Sequence, residues 1–289
     1  MDVVQGALVL EGGGLRGIYT SGVLRFFMDK GIFFPYVIGV SMGACNAANY
    51  VSRQPERNRI VSIRYVNDVR YLSYARLFTR GELFGMKFIF DTLPRSLVPF
   101  DFTTFMENDV KCITVVTDCE TGEALYYEKK ELGKDYLKVL QASNSLPFVA
   151  KPVHYHGLIL MDGGLSDAVP IKKSIDDGNE KNVLILTRPK GYRKKRPPFL
   201  QFASLRYPRY KGLLNALARR HAGYNETMDF IDQHEHQGGV FVIRPRLELN
   251  VGRAERNKDK LYRAYDQGYG DACACYQGLL SYVQWDLGK

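Results

Sequence analysis

Short apolar runs of four or five residues recur along the chain, at Ala7 to Leu10, Tyr36 to Val40, Cys112 to Val116, Leu158 to Met161, Val183 to Leu186 and Val240 to Ile243. They are rich in valine and isoleucine and lack the polar alternation of a strand with one wet face. The pattern predicts strands, several of them buried on both sides. Between them, apolar positions recur at helical spacing in Leu15 to Asp29, Met42 to Ser52, Lys134 to Ala142 and roughly Asn257 to Tyr282. Strand alternating with helix predicts an α/β fold with a mainly parallel central sheet in layers.

With 289 residues, 45% hydrophobic and 25% charged, the chain has the composition of a globular protein and can bury one large core. We expect a catalytic core over residues 1–188, with 189–289 as a basic segment and a helical C-terminal extension packed on it. The start, MDVVQGALVLEGG, lacks the basic opening and long apolar run of a secretory signal. No stretch approaches the roughly eighteen apolar residues that a membrane-spanning helix requires. The expected location is the cytoplasm, with any membrane contact peripheral. The five cysteines, Cys45, Cys112, Cys119, Cys273 and Cys275, form no CxxC pair and no zinc-finger spacing with histidine. Free, reduced thiols are expected, and neither a metal nor a cofactor.

The formal charge of +9 is concentrated: Lys181 to Asn225 holds twelve Lys or Arg and no Asp or Glu, while the rest of the chain carries 28 basic and 31 acidic residues. RPKGYRKKRPP reads as an exposed loop, since consecutive charges and a Pro-Pro pair resist burial in regular structure. In FLQFASLRYPRYKGLLNALARR, Phe199, Phe202, Leu205, Leu213, Leu214 and Leu217 mix with Arg206, Arg209, Lys211, Arg219 and Arg220. That mixture suits a surface resting on anionic lipid headgroups, although core packing with solvated charges produces the same pattern. No nucleic-acid module accompanies the charge, and nucleic acid is not an expected partner.

Three short motifs carry candidate chemistry. Gly39-Val40-Ser41-Met42-Gly43, between the strand YVIGV and a small-residue helix, has the spacing of a nucleophile elbow, whose sharp turn exposes a serine. Upstream, Gly12-Gly13-Gly14-Leu15-Arg16-Gly17 follows a strand and opens a helix. Its bare amides suit either a phosphate or the oxyanion of ester attack. The dinucleotide fingerprint shares this spacing but requires an acid at the end of the second strand, where Ser41 stands instead. The third motif is Asp162-Gly163-Gly164 at a strand end, where an aspartate is often only a turn residue. Ser41 needs a base. An α/β-hydrolase order would use Ser41, Asp162 and one of His221, His234 or His236, but too little chain precedes the serine for that fold, and His154 and His156 sit in no motif either. That leaves Asp162.

In order and spacing, GGGLRG, GVSMG and DGG together resemble the patatin-like phospholipase family. Ala142-Ser143-Asn144-Ser145-Leu146-Pro147, Lys151-Pro152-Val153 and Asp167 to Pro170 extend the resemblance over roughly residues 5 to 172. It implies a three-layer α/β/α fold and a serine acyl hydrolase, a phospholipase A or lipid esterase acting on an acyl lipid. Ser41 would attack the carbonyl, Asp162 would take its proton directly, and the amides of Gly12, Gly13 and Gly14 would hold the oxyanion. Arg16 would steer an anionic headgroup, and Gly17, Gly39, Gly43, Gly163 and Gly164 would shape the turns. A carboxylate of ordinary pKa near 3.9 is a weak base, so Asp162 is expected to be buried. The alternative is a lipid-binding or regulatory protein that keeps the fold without the chemistry.

Overall fold

A computed structural model describes residues 4–196, 198 and 200–283. Phe199 of the amphipathic stretch, Pro197 of the basic loop, the first three residues and the last six lie outside the described residues. One sheet has eight strands: β1 (Ala7–Leu10), β2 (Tyr36–Val40), β3 (Lys111–Asp118), β4 (Ala124–Glu128), β5 (Val153–Tyr155), β6 (Leu158–Asp162), β7 (Asn182–Ile185) and β8 (Val240–Ile243). All six apolar runs are strands. β3, β2, β1, β7 and β8 lie side by side in parallel, and β4, β5 and β6 add antiparallel pairings at one end. Every residue of β1, β2 and β7 is buried. The half-buried β4 and the three-residue β5 lie outside the six runs.

Side-chain alternation along the strands gives the sheet two apolar faces. Leu8, Leu10, Val37 and Val116 pack under α1 (Ile18–Asp29), α2 (Met42–Val51) and the C-terminal helices Lys258–Ala274 and Tyr276–Val283. Val9, Ile38, Val40 and Val115 point the other way, toward Ile171 and toward Tyr224, Met228 and Ile231 of the long helix Lys211–His236. Helices on both faces make a three-layer α/β/α sandwich. The C-terminal segment therefore contributes an edge strand and helices to both outer layers, and Tyr19 of α1 donates to Asp271 at 3.0 Å. Where the pattern predicts one helix from Asn257 to Tyr282, the chain breaks at Cys275. The helix expected from Leu15 begins as a tight 3-10 turn, Gly14–Gly17, ahead of α1.

The register at β3 sets up the site. β2 runs along β3 until Val40 pairs with Val115, and β6 arrives from the opposite direction with Asp162 paired to Val116. Val116 and Thr117 already pair with β4 on one edge, so β6 occupies the edge that β2 leaves. Two strands thus end nose to nose on consecutive residues of one strand. The side chains that follow, Ser41 and Asp162, are brought together by backbone pairing.

Candidate active site

Ser41 sits at the turn from β2 to α2 with φ 56° and ψ −124°, a conformation strained for a residue with a Cβ. The turn is possible because its glycines have no side chain. A Cβ on Gly39 would meet the Gly43 carbonyl oxygen at 2.6 Å, and one on Gly43 would meet that of Leu10 at 2.5 Å. Ser143 pins the elbow: its hydroxyl accepts from the Ser41 amide at 2.8 Å and donates to the Val115 carbonyl at 2.7 Å.

The Ser41 hydroxyl donates to Asp162 Oδ2 at 2.7 Å, and the Gly164 amide donates to Oδ1 at 2.8 Å. Asp162 is 2% exposed. Its own amide donates to the Ser145 carbonyl at 3.0 Å, so the segment Ala142 to Pro147 holds both partners. Burial raises the Asp162 pKa above the ordinary carboxylate value, against the pull of the Ser41 hydrogen bond, the Arg220 charge and the Gly164 amide. Gly163 lies on the Val115 carbonyl, where a Cβ would come within 2.3 Å.

Among the described residues, the amides of Gly12, Gly13 and Gly14 donate to no protein acceptor, and they stand at the start of the 3-10 turn beside Ser41. Gly14 adopts φ +58°, and the segment after β8 covers it: the Arg253 carbonyl accepts from the Leu15 amide at 3.1 Å. Gly17 precedes α1, and its carbonyl accepts from Asn46 at 2.8 Å. None of the five histidines lines the cavities at Ser41; His154 and His156 are exposed on and beside β5.

Two cavities meet at Ser41. The first, of ≈ 410 Å³, is apolar and lined among others by Met86, Phe90, Leu137, Leu140, Phe148 and Leu200. Its size is that of a small-molecule site. The second, of ≈ 30 Å³, is polar and is lined by Glu11, the glycine loop, Arg16, Asp162, Lys194, Arg220 and Arg253. Arg16 is buried, and its Nε has no hydrogen-bond partner among the described residues.

The basic stretch departs from the expected exposed loop. It lacks regular structure, but Arg193 pairs with Asp229 at 2.6 Å and Asp232 at 3.0 Å, and Lys190 with Glu235 at 3.2 Å. The Lys194 ammonium lies 3.5 Å from the centre of the Tyr224 ring. Acids in the second half of the helix Lys211–His236 supply the counter-charges that the basic segment lacks within itself. Arg220 turns inward and donates from Nε to the Gly164 carbonyl at 2.7 Å, while Arg206, Arg209, Lys211 and Arg219 are exposed. Leu213 and Leu217 are core residues, whereas Phe202 and Leu205 are 65% and 82% exposed. Glu11, Lys194, Tyr224 and Arg253 are site residues that sequence reasoning does not single out. Glu11 alone had a signal, its place directly before the glycines.

Among the described residues no cluster of three or more His, Cys, Asp or Glu could hold a metal, and no helix is long and apolar enough to cross a membrane. Among curated proteins, the uncharacterized protein YjjU of Escherichia coli (strain K12) is 28% identical over 254 residues, which is 84% of this chain and 69% of that protein. A probable lipid hydrolase, 463L, of Invertebrate iridescent virus 6 is 24% identical over 190 residues, 61% of this chain and 65% of that protein. Among solved structures, VipD from Legionella pneumophila superposes with a TM-score of 0.47 at 12% identity, over 96% of this chain and 67% of that one. A family model for a domain of unknown function, DUF6363, matches residues 210–284. The model for patatin-like phospholipases matches residues 8–174, more than half of the chain, from β1 through the glycine loop, the elbow and Asp162. The chain belongs to the patatin-like phospholipase family.

Proposed function

We propose that the protein is a serine acyl hydrolase that cleaves lipid acyl esters through Ser41 and Asp162. The observation that carries this reading is the 2.7 Å hydrogen bond from a strained, elbow-borne serine to a buried carboxylate, at the junction of an apolar and a polar cavity. The acyl chain lies in the apolar cavity. Ser41 Oγ attacks the carbonyl carbon as its proton passes to Asp162, and the oxyanion is held by the amides of Gly12 to Gly14. Collapse of the tetrahedral intermediate breaks the ester bond, and Asp162 returns the proton to the departing alcohol. Water, giving its proton to Asp162, then attacks the acyl-enzyme, and as the acyl–Oγ bond breaks Asp162 returns that proton to Ser41 Oγ, freeing the fatty acid and the serine.

A carboxylate base fits because burial lifts its proton affinity toward that of a general base, against the opposing pull of the hydroxyl partner and nearby cations. Ser143 and Ser145 act as positioning residues. Residues 1–188 carry the reacting groups, and 189–289 complete the polar side of the site.

Peripheral membrane contact is part of the proposal. Phe202 and Leu205 are exposed on the helix Leu200–Arg206, beside exposed Arg206 and Arg209, and Leu200 and Ala203 of the same helix line the apolar cavity. An apolar rim with cations beside the apolar cavity matches an anionic bilayer.

Hydrolysis of acyl esters by wild type, Ser41→Ala and Asp162→Asn tests the reaction. Loss of turnover in both variants is expected; retained turnover in either refutes the dyad. A non-catalytic lipid binder would show no turnover in any of the three.

A further inference from the structure

Four cations from separate parts of the chain converge on the small polar cavity beside Ser41. Arg16 comes from the turn after the glycine loop, Lys194 from the loop after β7, Arg220 from the helix Lys211–His236, and Arg253 from the segment after β8. A fifth, Arg188, pairs with Glu248 at 3.3 Å. Among the described residues, none of the four is held by an acid: Arg220 donates to the Gly164 carbonyl at 2.7 Å, and the Lys194 ammonium lies over the Tyr224 ring. The Lys194 amide donates to Asn225 at 2.8 Å, Asn225 donates back to the Lys194 carbonyl at 3.1 Å, and the Arg253 carbonyl caps the Leu15 amide.

No carboxylate neutralises them within ion-pair distance among the described residues. Glu11 accepts from the Tyr224 hydroxyl at 2.9 Å and from the Thr187 amide at 2.6 Å, and Asp162 is held by Ser41 and Gly164. Four basic side chains thus face two acids at the cavity. Like charges gathered at one cavity oppose one another and fold at a cost. Burial, with Arg188 and Arg253 adding to it, lowers the Arg16 pKa to about 10, and burial together with Arg220, Arg253 and Arg16 holds Lys194 well below an ordinary lysine. A single developing oxyanion, already served by three free amides, does not account for so much charge. A phosphomonoester does, carrying about −1.5 to −2 at neutral pH with several strong acceptor oxygens. The cavity, ≈ 30 Å³, is small and polar, which suits a compact oxyanion.

We propose that Arg16, Lys194, Arg220 and Arg253 form a phosphate-binding subsite, through which the C-terminal segment selects lipids with a bare phosphomonoester head for hydrolysis at Ser41. The selection rests on the reading of Ser41 as nucleophile. A cation pocket filled by free inorganic phosphate shares the same chemistry.

Lys194 is half-buried over the Tyr224 ring and Arg253 is exposed, so methionine at either position keeps an apolar stem in place. The test compares wild type, Lys194→Met and Arg253→Met on phosphatidic acid and on diacylglycerol of the same acyl composition, in micelles of an uncharged detergent. Wild type is expected to prefer phosphatidic acid, and each variant to lose that preference about ten- to hundredfold, mainly in KM, the scale of a lost charge-assisted hydrogen bond. Equal wild-type turnover of both lipids, or equal losses on both in the variants, overturns the subsite and leaves Ser41 untouched. Absence of turnover on every ester refutes the nucleophile instead, and then binding alone decides the subsite. Calorimetric titration of inorganic phosphate into Ser41→Ala protein should show binding that Lys194→Met abolishes; no binding, or binding that survives, overturns it. Competitive inhibition of phosphatidic acid hydrolysis by inorganic phosphate identifies the lipid head as the occupant, and stimulation of diacylglycerol hydrolysis identifies the free anion.

Discussion

The two cavities that share Ser41 are built from different parts of the chain and act by different physics. Residues between Met42 and Val149 supply most of the apolar cavity, within the stretch matched by the family model. There, affinity comes from apolar area removed from water, which is additive along a chain and indifferent to direction. The polar cavity takes three of its four unpaired cations, Lys194, Arg220 and Arg253, from beyond that stretch. Charge at close range is directional and discriminates by sign. The difference teaches that the core is suited to grip an acyl chain and the C-terminal segment to decide which head group accompanies it.

The largest effect should come from the point the cavities share. Asp162→Asn keeps the shape of the side chain and removes the base, so kcat should fall about a thousandfold or more on phosphorylated and neutral esters alike. A loss confined to one class of lipid would show that Asp162 is not the base common to both. Next is the ten- to hundredfold loss of anionic preference expected for Lys194→Met, which lines the polar cavity only, and for Arg253→Met, at the edge of both. Smaller again is the response of the apolar cavity: in a series of short-chain esters, kcat/KM should rise about fourfold per added methylene, from about 0.8 kcal/mol of burial each. A flat series would mean that the chain does not enter that cavity.

The smallest effect couples the two sides. Asp162 must be ionised to accept a proton, and its pKa is raised by burial, so kcat/KM should fall as pH drops through a value above the ordinary carboxylate range. Arg220 opposes that rise, so Arg220→Met should move the acid limb to higher pH. A pH–rate profile that stays put or moves down would show that the charge of Arg220 does not reach the base.

How much of this was legible before the structure differs between the same two regions. The buried strands announce themselves through Val- and Ile-rich runs, and Ser41, Asp162 and the glycine loop through motifs in order. Their meeting is set by β2 and β6 ending on Val115 and Val116, a register no local pattern encodes. The polar side was harder. Lys211 to His236 does carry core residues at helical spacing, Leu213, Ala216, Leu217, Tyr224, Met228 and Ile231, but its charge points first to a lipid surface. The acids that clamp Arg193 lie 36 and 39 residues away, and Arg220 and Arg219 are told apart only by the direction each faces. Charge density was readable, and its inward direction was not.

The pairing of Ser41 with Asp162 is tested most directly by covalent labelling with a fluorophosphonate, read by intact mass and peptide mapping. A single adduct on Ser41 is expected, forming at least about a hundredfold more slowly in Asp162→Asn protein, because the hydroxyl there has no base. An adduct on another residue, or labelling of Asp162→Asn at the wild-type rate, would contradict it.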